Sequence, residues 1–290
     1  MRTEGDACGK PKVGAPGACA GAATAVTAAA TAAGAATAAD TITTVTLTNF
    51  GTSTVTSSAL STLNLTGGSV ASGALTLNAQ STVTPATTLA LNLNGGSFGA
   101  IAGTQAAAYT TVNVTTATAA STAAALTFAA ATAVTISGSA NLTATAQTFA
   151  AKAVITNGST GNVTLGSDIL AGQQYVGGAG VDTVSFAATN TTASTLGAGD
   201  DVARFAGVAG TGGSVDGGAG TDTVALTEAL AVSLSSAATF EAGISGFEVV
   251  SVDAIAAGPA GGVTQTIALA NLDDINSVTL AGAAANILAD

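Results

Sequence analysis

The sequence contains no histidine and no tryptophan, and it has only one methionine and two cysteines among 290 residues. Without histidine, the chain cannot form a Ser-His-Asp triad or a histidine-bearing metal centre. Two cysteines alone cannot supply the four ligands of a structural zinc site. The paired acids Asp200-Asp201 and Asp273-Asp274 are adjacent in sequence, so on a strand they would face opposite ways. These absences predict that the protein is not an enzyme.

Charge is also scarce, since charged residues make up 7% of the chain and five bases stand against sixteen acids. Residues 13–151 contain one charged residue, Asp40, whereas thirteen acids and a single base, Arg204, follow residue 160. Nucleic acid is excluded as a partner because phosphate binding needs clustered lysine and arginine. The alanine-rich stretch 22–39 is too polar to predict a transmembrane segment. The acidic half favours divalent cations as counterions.

Three glycine-rich turns contain several of these acids. They read GGAGVDTVS from residue 177, LGAGDDVAR from residue 196 and GGAGTDTVA from residue 217. The first and third match G-G-x-G-x-D-x-U-x, a calcium-binding β-helix repeat in which U is a large apolar residue. In the second, Leu196 replaces the first glycine and Ala203 occupies the apolar position. Glycine allows the backbone to turn its carbonyl groups inward, and aspartate supplies a hard anionic oxygen, so the pattern predicts calcium binding.

The spacing of these turns predicts their arrangement. Their second glycines lie at positions 178, 197 and 218, so successive copies are 19 and 21 residues apart, about one rung of a β-roll. We therefore expect the three turns to stack on one edge, with residues 189–194 and 208–214 forming the opposite edge. One shared ion at each interface between turns would give about two calcium ions. In the alternative interpretation, the aspartates only cap the backbone.

Outside the turns, apolar and polar residues alternate in short segments. This period of two predicts strands with one buried face, with turns at glycine and asparagine between them. The strand starts are unevenly spaced, which an irregular parallel β-helix accommodates by varying its loops, and a β-sandwich joined to a β-roll is the alternative. The same pattern predicts strands at 231–234, 264–269 and 277–280, and a turn leading into a strand at 243–253. The segments that carry the pattern earlier in the chain are residues 45–48, 63–66, 75–78, 89–94, 112–115, 126–128, 134–137 and 163–165.

Composition divides the chain into four regions. Residues 1–40 form an Ala/Thr-rich N-terminal segment, and residues 22–39 within it suit either a helix or an extended strand. Within it, Cys8 and Cys19 could form a local disulfide or stay free. Residues 41–170 form the Thr/Ala-rich strand region. Residues 171–232 form the calcium-binding β-roll, and residues 233–290 form a C-terminal β region that could close the stack or mediate assembly.

Together, GGAGVDTVSF, GGAGTDTVAL, GISGFEVVSVD and the strands LNLTGG and LNLNGG resemble bacterial RTX-type surface-layer proteins. The resemblance implies type I export with an uncleaved C-terminal signal, calcium-dependent folding outside the cell and assembly at the cell surface, with a surface glycan as candidate anchor. By motif position, it implies calcium binding by Asp182, Asp201 and Asp222. Asp200 and Asp216 are further candidates. The implied backbone ligands are carbonyl groups near Gly177, Ala179, Gly197, Gly199, Gly217 and Ala219.

The expected function is therefore that of a structural, self-assembling surface-layer protein that depends on calcium. The alternative is an extracellular adhesin or biofilm-matrix filament subunit, in which residues 1–40 donate a strand to a neighbouring copy. A secreted calcium-dependent hydrolase would need a catalytic domain for which this chain shows no residues.

Overall fold

A computed structural model describes residues 41–68, 70–79, 84–104, 108–207, 212–234, 237–255, 265–267, 274–282 and 287–289. The predictions for residues 1–40, including Cys8 and Cys19, lie outside this set. Nearly all described elements are β-strands, and their sheet pairings are parallel. The chain coils into a parallel β-helix, as the strand pattern predicts. The β-sandwich alternative is wrong, because its hairpin-linked strands would be antiparallel.

Two long sheets form the walls of the β-helix. Sheet A, with ten strands, consists of β1 (Thr44–Thr48), β3 (Thr62–Thr66), β5 (Thr88–Leu93), β7 (Thr111–Thr116), β9 (Ala133–Gly138), β12 (Val154–Asn157), β14 (Gln174–Val176), β16 (Ala193–Thr195), β18 (Ser214–Asp216) and β20 (Ile244–Ser245). Sheet B, with twelve, consists of β2 (Ser53–Thr56), β4 (Leu75–Asn78), β6 (Gly96–Gly103), β8 (Ser121–Thr127), β10 (Leu142–Ala144), β11 (Gln147–Thr148), β13 (Val163–Ile169), β15 (Asp182–Phe186), β17 (Val202–Phe205), β19 (Thr223–Thr227), β21 (Val249–Ile255) and β23 (Ser277–Gly282). Strands β22 (Gln265–Ile267) and β24 (Ile287–Ala289) form a separate pair.

The period-two pattern places the core between the two sheets. Leu63 and Leu65 of β3 are fully buried, while Asn64 between them faces outward. Leu63 pairs with Leu91 on the next rung, which in turn pairs with Val114, so apolar side chains stack in continuous rows. These partners are 28 and then 23 residues apart, and the loops absorb the difference. Uneven spacing in the sequence is therefore compatible with an uninterrupted register.

Two short helices, α1 (Glu228–Leu234) and α2 (Ala238–Glu241), lie between β19 and β20. The strand predicted at residues 231–234 is wrong, since these residues belong to α1. Alanine and leucine favour a helix, and Ala231 and Leu234 bury one face at a spacing of three residues. The strand predicted within 243–253 is present as β21. In the part of the chain that the structure describes, no helix has the length and apolar character needed to cross a membrane.

Candidate cation site

The three glycine-rich turns stack at the edge where the chain passes from sheet A to sheet B. They join β14 to β15, β16 to β17 and β18 to β19. Thr183 pairs with Val202, and Val202 with Thr223, so the aspartate immediately before each of them occupies the same position on successive rungs. Ala198 and Ala219 also form a bridge between the second and third turns. This confirms the predicted stacking of the turns. The residues expected at the opposite edge connect sheet B back to sheet A, although 208–211 lie outside the described set.

A row of acidic side chains runs through these turns, and we call Asp182, Asp201, Asp222 and Glu248 the carboxylate column. Each of the last three accepts a hydrogen bond from the backbone of the column residue one rung earlier. Asp182 N donates to Asp201 Oδ1 over 2.7 Å, and Asp201 N donates to Asp222 Oδ1 over 2.8 Å. Asp222 N donates to Glu248 Oε2 over 2.7 Å. The column therefore links four successive turns along one line of the β-helix.

The interior of the column contains oxygens that these backbone bonds do not use. Asp201 and Asp222 are fully buried, and among the described residues neither Oδ2 atom has a hydrogen-bond partner. The alternative interpretation, in which the aspartates only cap the backbone, explains the hydrogen bond that each Oδ1 atom accepts. It does not explain why each Oδ2 atom is buried without a partner. A buried carboxylate oxygen without a partner is strongly destabilising when ionised. A proton or a cation at these positions would relieve that penalty.

Burial raises the pKa of Asp201 from 3.8 to about 7, and the neighbouring carboxylates of Asp182, Asp222 and Asp200 contribute to the rise. Burial likewise raises the pKa of Asp222, with Glu248 and other acids adding to the effect. The described region provides little positive charge to offset them. Arg204, the one base after residue 160, forms an exposed ion pair with Asp253 over 2.9 Å. The interior of the column therefore carries negative charge that a proton or a cation would neutralise.

The first member of the column is different, because neutral donors surround its carboxylate. Asn157 Nδ2 lies 2.9 Å from Asp182 Oδ1 and 3.0 Å from Oδ2. Tyr175 donates its hydroxyl to Oδ2 over 2.9 Å, and Gly178 N donates to the same oxygen over 3.3 Å. Burial raises the pKa of Asp182, while the bonds from Asn157 and Tyr175 act in the opposite direction. Both oxygens of Asp182 are thus satisfied within the protein.

Backbone conformation also distinguishes the first turn from the second and third. The second turn has Gly197 at a φ of +105° and Gly199 at +136°, and the third has its equivalents Gly218 at +99° and Gly220 at +146°. The corresponding glycines of the first turn, at positions 178 and 180, lie outside this left-handed region. Side chains other than glycine rarely adopt such φ values. The second turn, which matches the motif less well, therefore has the same local shape as the third.

The two substitutions in the second turn place side chains in the core. Leu196, at the first glycine position, is fully buried, and so is Ala203 at the apolar position. Ala203 lies in register with Val184 and Val224, which are also fully buried. Neither change disturbs the two glycines that need positive φ. The departures from the motif therefore preserve the turn.

Carbonyl groups supply further oxygens to this edge. Ala219 N donates to the carbonyl of Gly197, and Gly199 N donates to the carbonyl of Ala219, both over 2.9 Å. A carbonyl has two lone pairs, so each retains acceptor capacity. Among the described residues, no three side chains of the acidic, cysteine or histidine type converge on one point. A cation here would therefore take many of its ligands from the backbone, as calcium commonly does.

The remaining predicted ligands lie around the column. Exposed Asp200 accepts a hydrogen bond from Thr221 N over 2.9 Å, and Asp216 accepts one from Ser245 Oγ over 3.2 Å. The candidate carbonyls at Gly177 and Ala179 belong to the first turn, and those at Gly199 and Gly217 belong to the second and third. The structure thus brings the predicted residues to one edge and distributes them over three rungs.

Sequence reasoning did not identify Glu248, Asn157 or Tyr175 as parts of this arrangement. The sequence does contain a signal for Glu248, because a large apolar residue, Val250, follows it by two positions. In the structure Val250 is fully buried. Asp222 and Val224 have this same spacing in the motif. Asn157 and Tyr175 had no comparable signal, since their proximity to Asp182 depends on how successive rungs stack.

In chemical terms, the site offers oxygen ligands, a net negative charge and buried carboxylates, which is the environment preferred by hard divalent cations. Its residues fit calcium best in the second and third turns, where the unpartnered oxygens lie. No protein-family model matches the chain, and no curated protein matches it either.

Proposed function

We propose that this protein is an extracellular, self-assembling structural protein of the bacterial cell surface whose β-helix is completed by calcium. The observation that carries the calcium part is the pair of buried, unpartnered Oδ2 atoms on Asp201 and Asp222. A cation bound at these oxygens would offset the cost of burying them in ionised form. The glycine-rich turns around it present further hard oxygens in the geometry described above.

Asp201 and Asp222 would hold the ion together with carbonyl groups of the second and third turns. When bound, calcium supplies positive charge that offsets the mutual repulsion of these acids. Without it, the acidic rungs are destabilised by burial of their carboxylates, whereas the rungs before residue 157 contain no such column. At the low calcium concentration inside a cell the acidic half would remain poorly folded, which suits type I export. Extracellular sites typically bind at about 10⁻⁴–10⁻³ M and so fill outside the cell.

Assembly of copies is supported by the terminal strands of the two sheets, as far as the structure describes them. In the described region, β1 and β2 each pair on one side only, and β23 ends sheet B at the other extremity. Unpaired strand edges are templates for pairing with another chain. We therefore propose a surface-layer lattice, anchored to a cell-surface glycan. An adhesin or matrix filament is the second candidate, because end-to-end addition of β-helices would give a thread.

The calcium part is tested by thermal unfolding of the full chain, followed by circular dichroism, in chelator and in millimolar calcium. Saturation at about 100 times the dissociation constant stabilises by about 2.7 kcal/mol per site. We expect the melting temperature to rise by at least about 5 °C, with magnesium giving a much smaller rise. Identical melting curves in chelator and calcium would reject the proposal.

The assembly part is tested by electron microscopy of the calcium-loaded protein. Two-dimensional ordered sheets support the lattice, and threads support the filament. Particles that remain single at high protein concentration would contradict both. A chelator-treated sample is the control, because assembly should need the folded acidic rungs.

A further inference from the structure

The fourth turn of the column, residues 246–248, does not match the calcium motif, yet it places an acid in the same position. Thr223 pairs with Val249, so Glu248 follows Asp222 in register as Asp222 follows Asp201. The hydrogen bond from Asp222 N to Glu248 Oε2 repeats the bond between the two preceding rungs at nearly the same length. The longer glutamate side chain thus performs in a three-residue turn the role that aspartate performs in a longer one.

Several oxygens approach one another between the third and fourth turns. A Cβ atom on Gly217 would collide with the carbonyl oxygen of Gly246 and would lie 2.8 Å from Asp222 Oδ2. A Cβ on Gly246 would lie 2.8 Å from Asp216 Oδ1. Because glycine has no side chain at either position, a carbonyl and two carboxylates can lie close to this part of the backbone. Asp222 is fully buried, and its Oδ2 atom, which lies beside Gly217, has no partner among the described residues.

We propose that Glu248 and Asp222, with the Gly246 carbonyl, form a second calcium position between the third and fourth turns. This inference rests on the proposed function, since it assumes that the column takes up calcium. It adds a site outside the nonapeptide motif and makes Asp222 common to two positions, one towards Asp201 and one towards Glu248. All the ligands are oxygens, and the two carboxylates of Asp222 and Glu248 favour a divalent cation over a monovalent one.

The test is a calcium titration of the full chain by isothermal calorimetry, with Glu248→Gln compared with wild type. We expect two ions per wild-type chain and one per E248Q chain. Glu241→Gln is the matched control, because it makes the same chemical change on α2, away from the column, and it should bind two ions. Two ions bound to E248Q at wild-type affinity would overturn the inference. No binding by wild type would instead overturn the proposed function.

If E248Q does not fold in calcium, a charge-retaining variant tests whether Glu248 binds the ion. Glu248→Asp keeps the carboxylate and shortens its reach by one methylene group. We expect two ions with the affinity for one of them reduced at least about tenfold, since calcium ligands must lie at 2.3–2.6 Å. Wild-type affinity for both ions in E248D would contradict the assignment. Circular dichroism of each variant in calcium verifies that the comparison is made between folded chains.

Discussion

The first glycine-rich turn and the two that follow it have similar sequences and different environments. The carboxylate of Asp182 in the first turn is surrounded by an amide, a hydroxyl and a backbone N–H. The carboxylates of Asp201 and Asp222 each have one oxygen bonded to the preceding rung and one buried oxygen without a partner. The first turn matches the motif fully and the second does not. Agreement with the motif therefore does not by itself identify the turns in which a buried carboxylate oxygen lacks a hydrogen-bond donor.

The difference follows from what each turn stacks on. The first turn rests on the turn at residues 158–162, which contains no acid. There Asn157 and Ser159 provide neutral polar groups, and Ala179 N donates to the Ser159 carbonyl over 3.2 Å. The second and third turns stack on turns that themselves carry an acid. The neighbouring rung thus decides whether a carboxylate receives neutral donors or meets another negative charge. Asn157 and Tyr175 donate to Asp182 at the first end of the carboxylate column, and so provide neutral partners on the side that faces the rungs with almost no charged residues.

Replacing Asp222 should give the largest effect, because we assign it to two calcium positions. In Asp222→Asn we expect calcium stabilisation to fall by about 3 kcal/mol or more, which is the loss of at least one nearly saturated site. In chelator the same variant should be no less stable than wild type, because it removes a buried charge. Thermal unfolding in the two conditions measures both effects. Asp168→Asn, an exposed residue of β13, is the matched control and should behave like wild type in each condition. If D222N is stabilised by calcium as much as wild type, Asp222 does not bind the ion, and the proposed difference between the first turn and the third is wrong.

The pH dependence of the metal-free protein should be the next largest effect. Because the folded-state pKa of Asp201 is raised from 3.8 to about 7, the folded state binds this proton more tightly than the unfolded state. The resulting stability is fully present below about pH 4 and is lost as the pH rises towards 7, by at most about 4 kcal/mol. Burial raises the pKa of Asp182 and Asp222 as well, which acts in the same sense. In chelator we therefore expect the melting temperature to fall between pH 5 and pH 8.

Asp201→Asn separates this effect from the other ionisable groups, since it removes the proton-binding site itself. Its melting temperature in chelator should vary less over the same pH range than that of wild type. Saturating calcium should flatten the wild-type curve, because the metal binds the ionised form that dominates at high pH. A wild-type melting temperature in chelator that rises from pH 5 to pH 8 would contradict the pKa assignment.

Much of this architecture can be predicted from the sequence, because a period of two fixes which face of each strand is buried. The stacking of the turns follows from a spacing of about twenty residues. The helix at Glu228–Leu234 could not be separated from a strand by periodicity, since a short apolar segment fits both patterns. Glu248 lies outside the motif because its turn is short. Tyr175 reaches Asp182 through packing inside the β-helix, which no local pattern records.

Asp182→Asn should have a smaller effect that does not depend on calcium. The new amide nitrogen would face the Asn157 amide, which is also a donor, so at least one hydrogen bond is lost. We expect a loss of about 1–2 kcal/mol in chelator and in calcium alike. Calcium affinity should stay within about threefold of wild type, measured by calorimetry. A calcium response lost as completely as in D222N would show that the first turn binds the ion as the others do, and the comparison between the turns would fail.

Tyr175→Phe should give the smallest effect, because it removes one hydroxyl donor while Asp182 keeps its bonds from Asn157 and Gly178. We expect about 1 kcal/mol at neutral pH with calcium affinity unchanged. Tyr109→Phe is the matched control, since the Tyr109 hydroxyl donates to the Leu60 carbonyl over 3.1 Å in the uncharged rungs. The bond from Tyr175 lowers the pKa of Asp182 and so favours its ionised form. The loss of stability in Y175F should therefore be larger at pH 8 than at pH 5, whereas the loss in Y109F should be the same at both. Equal pH dependence in the two variants would mean that the Tyr175 hydroxyl does not stabilise an ionised carboxylate. Of the two neutral side chains that contact Asp182, only Asn157 would then stabilise its ionised form.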